Sequence, residues 1–310
     1  MRIAVFGAGG VGGYFGGRLA QAGESVAFIA RGAHLEAMRR DGLRVSSVAG
    51  DFEVRPAEAT DDTASVGPAE AILVAVKAWD VKGAAGMLAP MLAADTMVVP
   101  LENGVEAADE ISSVIGPGRV LGGLCKIVSY VSGPGRITHA GVPPRIEFGE
   151  RRGGPSPRVA ALRTVFEKAS GVSVGTPDDI EAALWEKFLF IAPVSGVGAV
   201  TRMPVDVFRS VRESRELLEG AMREVWALAR SRGVALKEDA VERTLRYVDS
   251  LPPGSTASMQ RDILEGRPSE LDYQTGAVVR LAREAHVPTP VHEFLYRCLV
   301  PGEREARRDR

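Results

Sequence analysis

Residues 2–24, RIAVFGAGGVGGYFGGRLAQAGE, decide the reading of the first half of the chain. The run Arg2 to Phe6 has the character of a short buried strand, and it leads straight into Gly7-x-Gly9-x-x-Gly12 at the start of a helical pattern. Each glycine has a task there. Gly7 permits a tight turn, Gly9 lets backbone approach a pyrophosphate, and Gly12 lets helix and strand pack closely. The helix start adds free N–H groups and a positive dipole end for an anion. Glycine is common in this chain, at 35 of 310 residues, so the motif by itself is weak and its strand–turn–helix setting carries the argument. Gly7, Ala8, Gly9, Gly10, Val11 and Gly12 form the candidate dinucleotide turn.

Further strand-like runs follow at SVAFIA (25–30), AILVAV (71–76) and TMVVPL (96–101), alternating with helix-like segments as in a parallel α/β sheet. The β-rich stretch 124–150, with its Gly-Pro turns, reads as strands added to that sheet in hairpin fashion. A helix at 158–170 and a short strand at 171–175 complete the half. From Thr176 onward the pattern is helical: a helix capped by Thr176 or Asp178 with Pro177 in its first turn, then helices within 211–233, 237–254 and 269–288. The charged end, 301–310, reads as a solvated tail. The expected fold is therefore a Rossmann-type doubly wound α/β domain over 1–176 and an all-helical domain over 177–310.

Composition narrows the function. At 45% hydrophobic and 25% charged the chain is ordinary for a globular protein, and a net charge of -2 argues against a nucleic-acid or anionic-membrane partner. Cys125 and Cys298 lack ligand spacing, and four scattered histidines suggest no metal site. With no recognisable leader and no apolar run near the roughly 20 residues of a membrane span, the expected location is the cytoplasm.

Several residues stand out as chemistry-bearing. Where an NAD-binding protein usually places a carboxylate on the ribose, the second strand ends at Arg31, which favours a 2′-phosphate and hence NADP(H). Lys77 and Asn103 follow strand ends, where open α/β sheets bind ligands, although a solvated lysine and an Asn-Gly turn are the plain alternatives. Lys187 falls within an apolar helical stripe of Ile180, Leu184, Phe188, Ile191 and Val194, spaced at about 100° per residue. A lysine so placed is snorkelling, paired or functional.

GAGGVGGYFGGRLAQAG, ARGAHLEAMRRDGLRV, VAVKAWDV, LENGVE, GRITHAG, ALWEKFL and RPSELDYQTGAVVRLAREAHVPTP, in order over nearly the whole chain, resemble the ketopantoate reductase (2-dehydropantoate 2-reductase) family. The resemblance implies NADPH-dependent reduction of a 2-oxo acid to a 2-hydroxy acid, in a cleft between a Rossmann and a helical domain, on the route to pantothenate and coenzyme A. It implies that Lys187 is the catalytic lysine. Glu270 would hold that lysine and contact the cofactor, and Ser258 would bind the substrate carboxylate. Lys77 and Asn103 would serve cofactor and substrate, with Val128 touching the cofactor through backbone. On residue patterns alone, Glu270 reads as a helix-start carboxylate and Ser258 as a capping or loop serine.

The chain departs from the family where substrate-binding asparagines are usual: Ile191 and Ser195 stand four and eight residues after Lys187, and Val205 falls at a third such place. Ser195 still offers a hydroxyl, whereas Ile191 and Val205 offer none, so another, less polar 2-oxo acid is an alternative substrate. A non-catalytic NADP(H)-binding sensor on the same fold is the alternative of a different class. The amphipathic helix of 211–233 is compatible with a homodimer and equally with internal packing.

Overall fold

The computed structural model describes residues 1–308, which form two compact units: Met1–Glu102 with Glu106–Glu181, and Asn103–Val105 with Ala182–Arg310. The division falls after Glu181, five residues beyond the sequence-based boundary, and it assigns the short Asn103–Val105 segment to the second unit.

The first unit holds strands β1 (Arg2–Phe6), β2 (Ser25–Ile29), β3 (Leu43–Ser47), β4 (Phe52–Val54), β5 (Glu58–Thr60), β6 (Ala69–Val74), β7 (Leu92–Pro100), β8 (Gly122–Gly133), β9 (Arg136–Gly149) and β10 (Ser173–Gly175). Its helices are α1 (Gly10–Gln21), α2 (Gly32–Asp41), α3 (Val81–Gly86), α4 (Ala107–Ile115) and α5 (Pro157–Glu167). A five-stranded sheet runs β5-β2-β1-β6-β7, with every pairing parallel. Its central strands are apolar on both faces because both faces are covered. Ile3 and Val5 pack into one core with Phe15, Phe28 and Phe148, whereas Ala4 and Phe6 pack into the other with Val81, Leu88 and Ile111.

The hairpin β8–β9 does not extend this sheet as expected. It forms a second one, in which β9 also pairs with β3 and β10 and β4 lies outside β3. Just before β8, Val120 forms an isolated bridge to Val98 of the parallel sheet. Helix α1 explains the second layer, since its glycines fall in two rows. A Cβ at Gly12 or Gly16 would stand 2.9 or 2.7 Å from Val5 of the parallel sheet. One at Gly10, Gly13 or Gly17 would meet Ser129, Ile137 or Phe52 of the second sheet at 2.5, 2.1 and 2.7 Å. Because α1 is nearly bare on two sides, sheets close on both. Residues 43–60, which carry β3 to β5, gave no strand signal in the sequence reading, since these strands are short and half polar.

The second unit is helical: α6 (Ile180–Thr201, its first two residues within the first unit), α7 (Val205–Phe208), α8 (Arg212–Ser231), α9 (Ala240–Ser250), α10 (Ser258–Leu264), α11 (Thr275–Glu284) and α12 (Pro290–Ala306). Helix α6 begins three residues later than the expected first turn at Pro177, and the Asp178 carbonyl before it accepts the Gly154 N–H at 3.0 Å. By length and composition α6 would suffice to cross a membrane, yet 67% of its most apolar window is buried within the protein. Glu224 of α8 caps α12, accepting the N–H groups of Val291 and His292 at 2.7 and 2.9 Å.

The expected solvated tail is helix as far as Ala306, although Pro301 lies inside it. The cause is Glu303, 4% exposed, whose carboxylate accepts the Ser269 N–H and hydroxyl and pairs with Arg307. A charged residue stays buried when each oxygen finds a donor.

Candidate active site

In the first unit the glycine turn leaves one face open. Gly7 has φ +100°, and a Cβ there would stand 2.6 Å from the Ala75 carbonyl, so both conformation and space demand glycine. Gly9 differs: its φ is -73°, and nothing of the protein lies within 4 Å of where its Cβ would be. No internal contact requires glycine there, so the position is open to close approach by an external group. The N-terminus of α1 has no side-chain cap and no acidic residue in its first turn, so its dipole end is available to an anion.

The backbone facing this turn from the second sheet is that of Ser129 and Tyr130, 2.5 and 2.8 Å from a Cβ at Gly10. Val128, the expected contact, is exposed on β8 at a register irregularity. Arg31 sits between β2 and α2 with its side chain 87% exposed, holding only a long contact of 3.5 Å to Asp80. Lys77 follows β6, its Nζ 5.6 Å from the centre of the Trp79 ring.

Two supporting residues escaped the sequence reading. Buried Glu102 accepts the N–H groups of Val76 and Leu101 at 3.0 and 3.1 Å, tying together the ends of β6 and β7 that precede Lys77 and Asn103. A carboxylate directly after an apolar strand was the available signal. His34 accepts the Gly135 N–H at Nδ1, 3.1 Å, so Nε2 carries the proton and donates to the Ala8 carbonyl of the glycine turn at 2.9 Å. Burial pushes its pKa below the usual histidine value.

In the second unit, Lys187 is half-buried on α6, and its Nζ is wholly shielded without a hydrogen-bond partner. The expected bond from Glu270 is not made. Glu270, 6% exposed, accepts instead from the amides of Asn103 at 3.3 Å and Gln274 at 3.4 Å. Glu270 does stand at a helix start, as the N-cap of the short 3₁₀ turn Leu271–Tyr273, although its side chain makes no capping hydrogen bond there. Its segment is clamped by Glu303 and Arg307 through Ser269, and Ser269 Oγ accepts the Leu271 N–H at 3.2 Å. Asn103 enters a turn in which Gly104 has φ +114° and packs on the Tyr273 carbonyl. The Asn-Gly turn and the polar role thus coexist.

Ser258 opens α10, which docks on α6 where a Cβ at Gly198 would meet the Gln260 amide at 2.5 Å. Eleven residues separate Gly198 from Lys187, three helical turns plus about 20°, so α10 approaches the lysine's face of α6. Ile191 is half-buried and Val205 is 1% exposed, in the core. Among the described residues, Lys187 Nζ, Ser195 Oγ, Gln274 Oε1, Thr275 Oγ1 and, on α12, His292 Nε2 are buried in this unit without hydrogen-bond partners. Each such atom costs about 1–3 kcal/mol unless something satisfies it, so the grouping of four of the five in α6 and at the start of α11 points to a ligand. No group of three potential metal ligands occurs among the described residues.

A parallel sheet with an open glycine turn, together with a helical unit holding a shielded, unsatisfied lysine, defines a pyridine-nucleotide-dependent oxidoreductase. The sequence matches the family "Ketopantoate reductase PanE/ApbA" over residues 3–153 and its C-terminal counterpart over 179–303, and the chain belongs to that family. It is 32% identical to the 2-dehydropantoate 2-reductase of Mesorhizobium japonicum, with 94% of each chain covered. The crystal structure of a PanE/ApbA family ketopantoate reductase from Ralstonia eutropha is similar, with 31% identity, a TM-score of 0.89 and 99% of each chain covered. A D-mandelate dehydrogenase solved with NADH and anilino(oxo)acetate shares the fold, with 21% identity, a TM-score of 0.87 and 99% of each chain covered.

Proposed function

We propose that the chain reduces 2-dehydropantoate to pantoate with NADPH, in the cytoplasmic route to pantothenate and coenzyme A, using Lys187 as general acid. The shielded, unpartnered Nζ of Lys187 carries the reading, because a buried cation of this kind is stable when an anion or a polarised carbonyl completes its surroundings. The open face at Gly9 and the uncapped α1 would hold the dinucleotide pyrophosphate, and Arg31, with its exposed guanidinium, would take the 2′-phosphate. When bound, the reduced nicotinamide supplies hydride to a carbonyl carbon.

The remaining chemistry belongs to the chain. As charge builds on the ketone oxygen, the Lys187 ammonium stabilises it and transfers its proton, leaving an alcohol; such acid catalysis is worth roughly 10²–10⁴-fold. Asn103 and Gln274 hold the Glu270 carboxylate, and Ser258 would bind the substrate carboxylate. Ser195 would donate to the rest of the substrate, with Ile191 as its apolar boundary. Lys77 and Val128 remain proposed cofactor contacts.

The test is oxidation of NADPH by purified protein on addition of ketopantoate, with NADH in parallel. Rapid turnover preferring NADPH supports the reading, and cofactor binding without oxidation would refute it. Ile191, apolar where an amide is usual, favours a second reading in which the substrate is a less polar 2-oxo acid; its turnover in place of ketopantoate would decide for that one.

A further inference from the structure

The unsatisfied atoms of α6 and of the segment entering α11 differ in kind. Lys187 Nζ, Ser195 Oγ and Thr275 Oγ1 can all donate, and a 2-oxo acid offers them acceptors in its carboxylate and ketone. Gln274 Oε1 can only accept. Its side chain is 0% exposed, and its Nε2 is committed to Glu270 Oε2 at 3.4 Å, which fixes the amide with its oxygen turned away from the carboxylate. The opposite orientation would set two acceptors against each other. A buried acceptor has no use for a plain 2-oxo acid. A ligand that brings an O–H or N–H would satisfy it.

Gln274 is also well placed to hold such a ligand rigidly. It precedes Thr275, whose Oγ1 lies 3.3 Å from where a Cβ at Gly196 would be, so the start of α11 is pressed against α6 next to Ser195. Its other end is fixed through Glu270, which Asn103 holds as well.

Building on the reductase reading above, we infer that Gln274 is a substrate-positioning residue. Its Oε1 accepts a hydrogen bond from a hydroxyl on the carbon chain of the 2-oxo acid, restoring from the residue before α11 a polar contact that Ile191 does not supply from α6. The substrate class is then a hydroxylated 2-oxo acid. A site built around a substrate hydroxyl rejects the analogue lacking it far more strongly than an apolar pocket does.

The experiment compares kcat/KM for ketopantoate with that for 3,3-dimethyl-2-oxobutanoate, which has a methyl group in place of the hydroxymethyl. Wild type should favour the hydroxylated acid by at least about 100-fold. Gln274→Leu should bring that ratio to within about 5-fold of unity, chiefly by losing activity on ketopantoate. Gln274→Met serves the same purpose if the leucine variant does not fold. A merely structural role would slow both substrates alike and leave the ratio in place, which overturns the inference. So would an unchanged ratio accompanied by a raised KM for NADPH, since Oε1 would then serve the cofactor. Equal reduction of both acids by wild type removes the role of Gln274 while leaving the reductase reading intact. Reduction of neither acid by protein that binds NADPH overturns the reductase reading itself, and the inference with it.

Discussion

Gly9 and Gly10 are neighbours in one motif, yet substitution by alanine should separate binding from folding. At Gly9 the backbone is extended, with φ -73° and ψ -160°, and no protein atom lies within 4 Å of a new methyl group. The fold should therefore keep its stability to within about 0.5 kcal/mol. The methyl group would instead stand where the pyrophosphate must approach. Displacing a phosphate oxygen from one backbone N–H forfeits a charge-assisted hydrogen bond of about 1.5–3 kcal/mol. At 1.4 kcal/mol per decade, the dissociation constant for NADPH should rise roughly 10- to 150-fold. Gly10→Ala is the contrasting case, because its methyl group would lie 2.5 Å from the Ser129 carbonyl oxygen, which is fixed in β8. Overpacking of that kind costs about 1–3 kcal/mol and should appear directly in unfolding. Fluorescence titration with NADPH and urea denaturation, run on both variants, measure the two effects. Wild-type affinity in Gly9→Ala, or equal destabilisation of both variants, would refute the reasoning about the open face.

Lys187→Ala should bind NADPH normally and lose roughly 10²–10⁴ of kcat, as single-turnover kinetics would show. Arg31→Ala should raise the KM for NADPH at least about tenfold while leaving NADH unaffected, because the exposed guanidinium has little internal work to lose. Glu303→Ala should destabilise the protein by about 1–3 kcal/mol in urea, since it leaves the buried Ser269 N–H and hydroxyl without their acceptor. The pKa of His34 is depressed by burial, so below its unfolded value near 6.5 the unfolded chain binds the extra proton first. Its contribution should be complete above that pH and be lost as pH falls through the lower folded value. Stability of wild type against His34→Gln between pH 7.5 and 5 would show it, with parallel curves counting against the assignment.

The sequence by itself determined the parallel half of the fold and where its phosphate turn begins. Those features are local: a five-residue apolar strand, glycines at fixed offsets and a helical period each leave their mark within about twenty residues. It also marked Lys187, because a cation within an apolar helical stripe is conspicuous wherever the helix lies. The second sheet was not legible. Its pairings join residues as far apart in the chain as Arg44 and Arg136, and the second glycine row of α1 has meaning only once β8 and β9 lie against it. The charged tail misled for the same reason, as Glu303 resembles a solvent-facing residue until the Ser269 and Arg307 donors gather round it. Gln274 gave no sequence signal at all. Its role depends on which of its two amide ends is satisfied, and the tertiary structure settles that by placing Glu270 against the nitrogen and leaving the oxygen unmet.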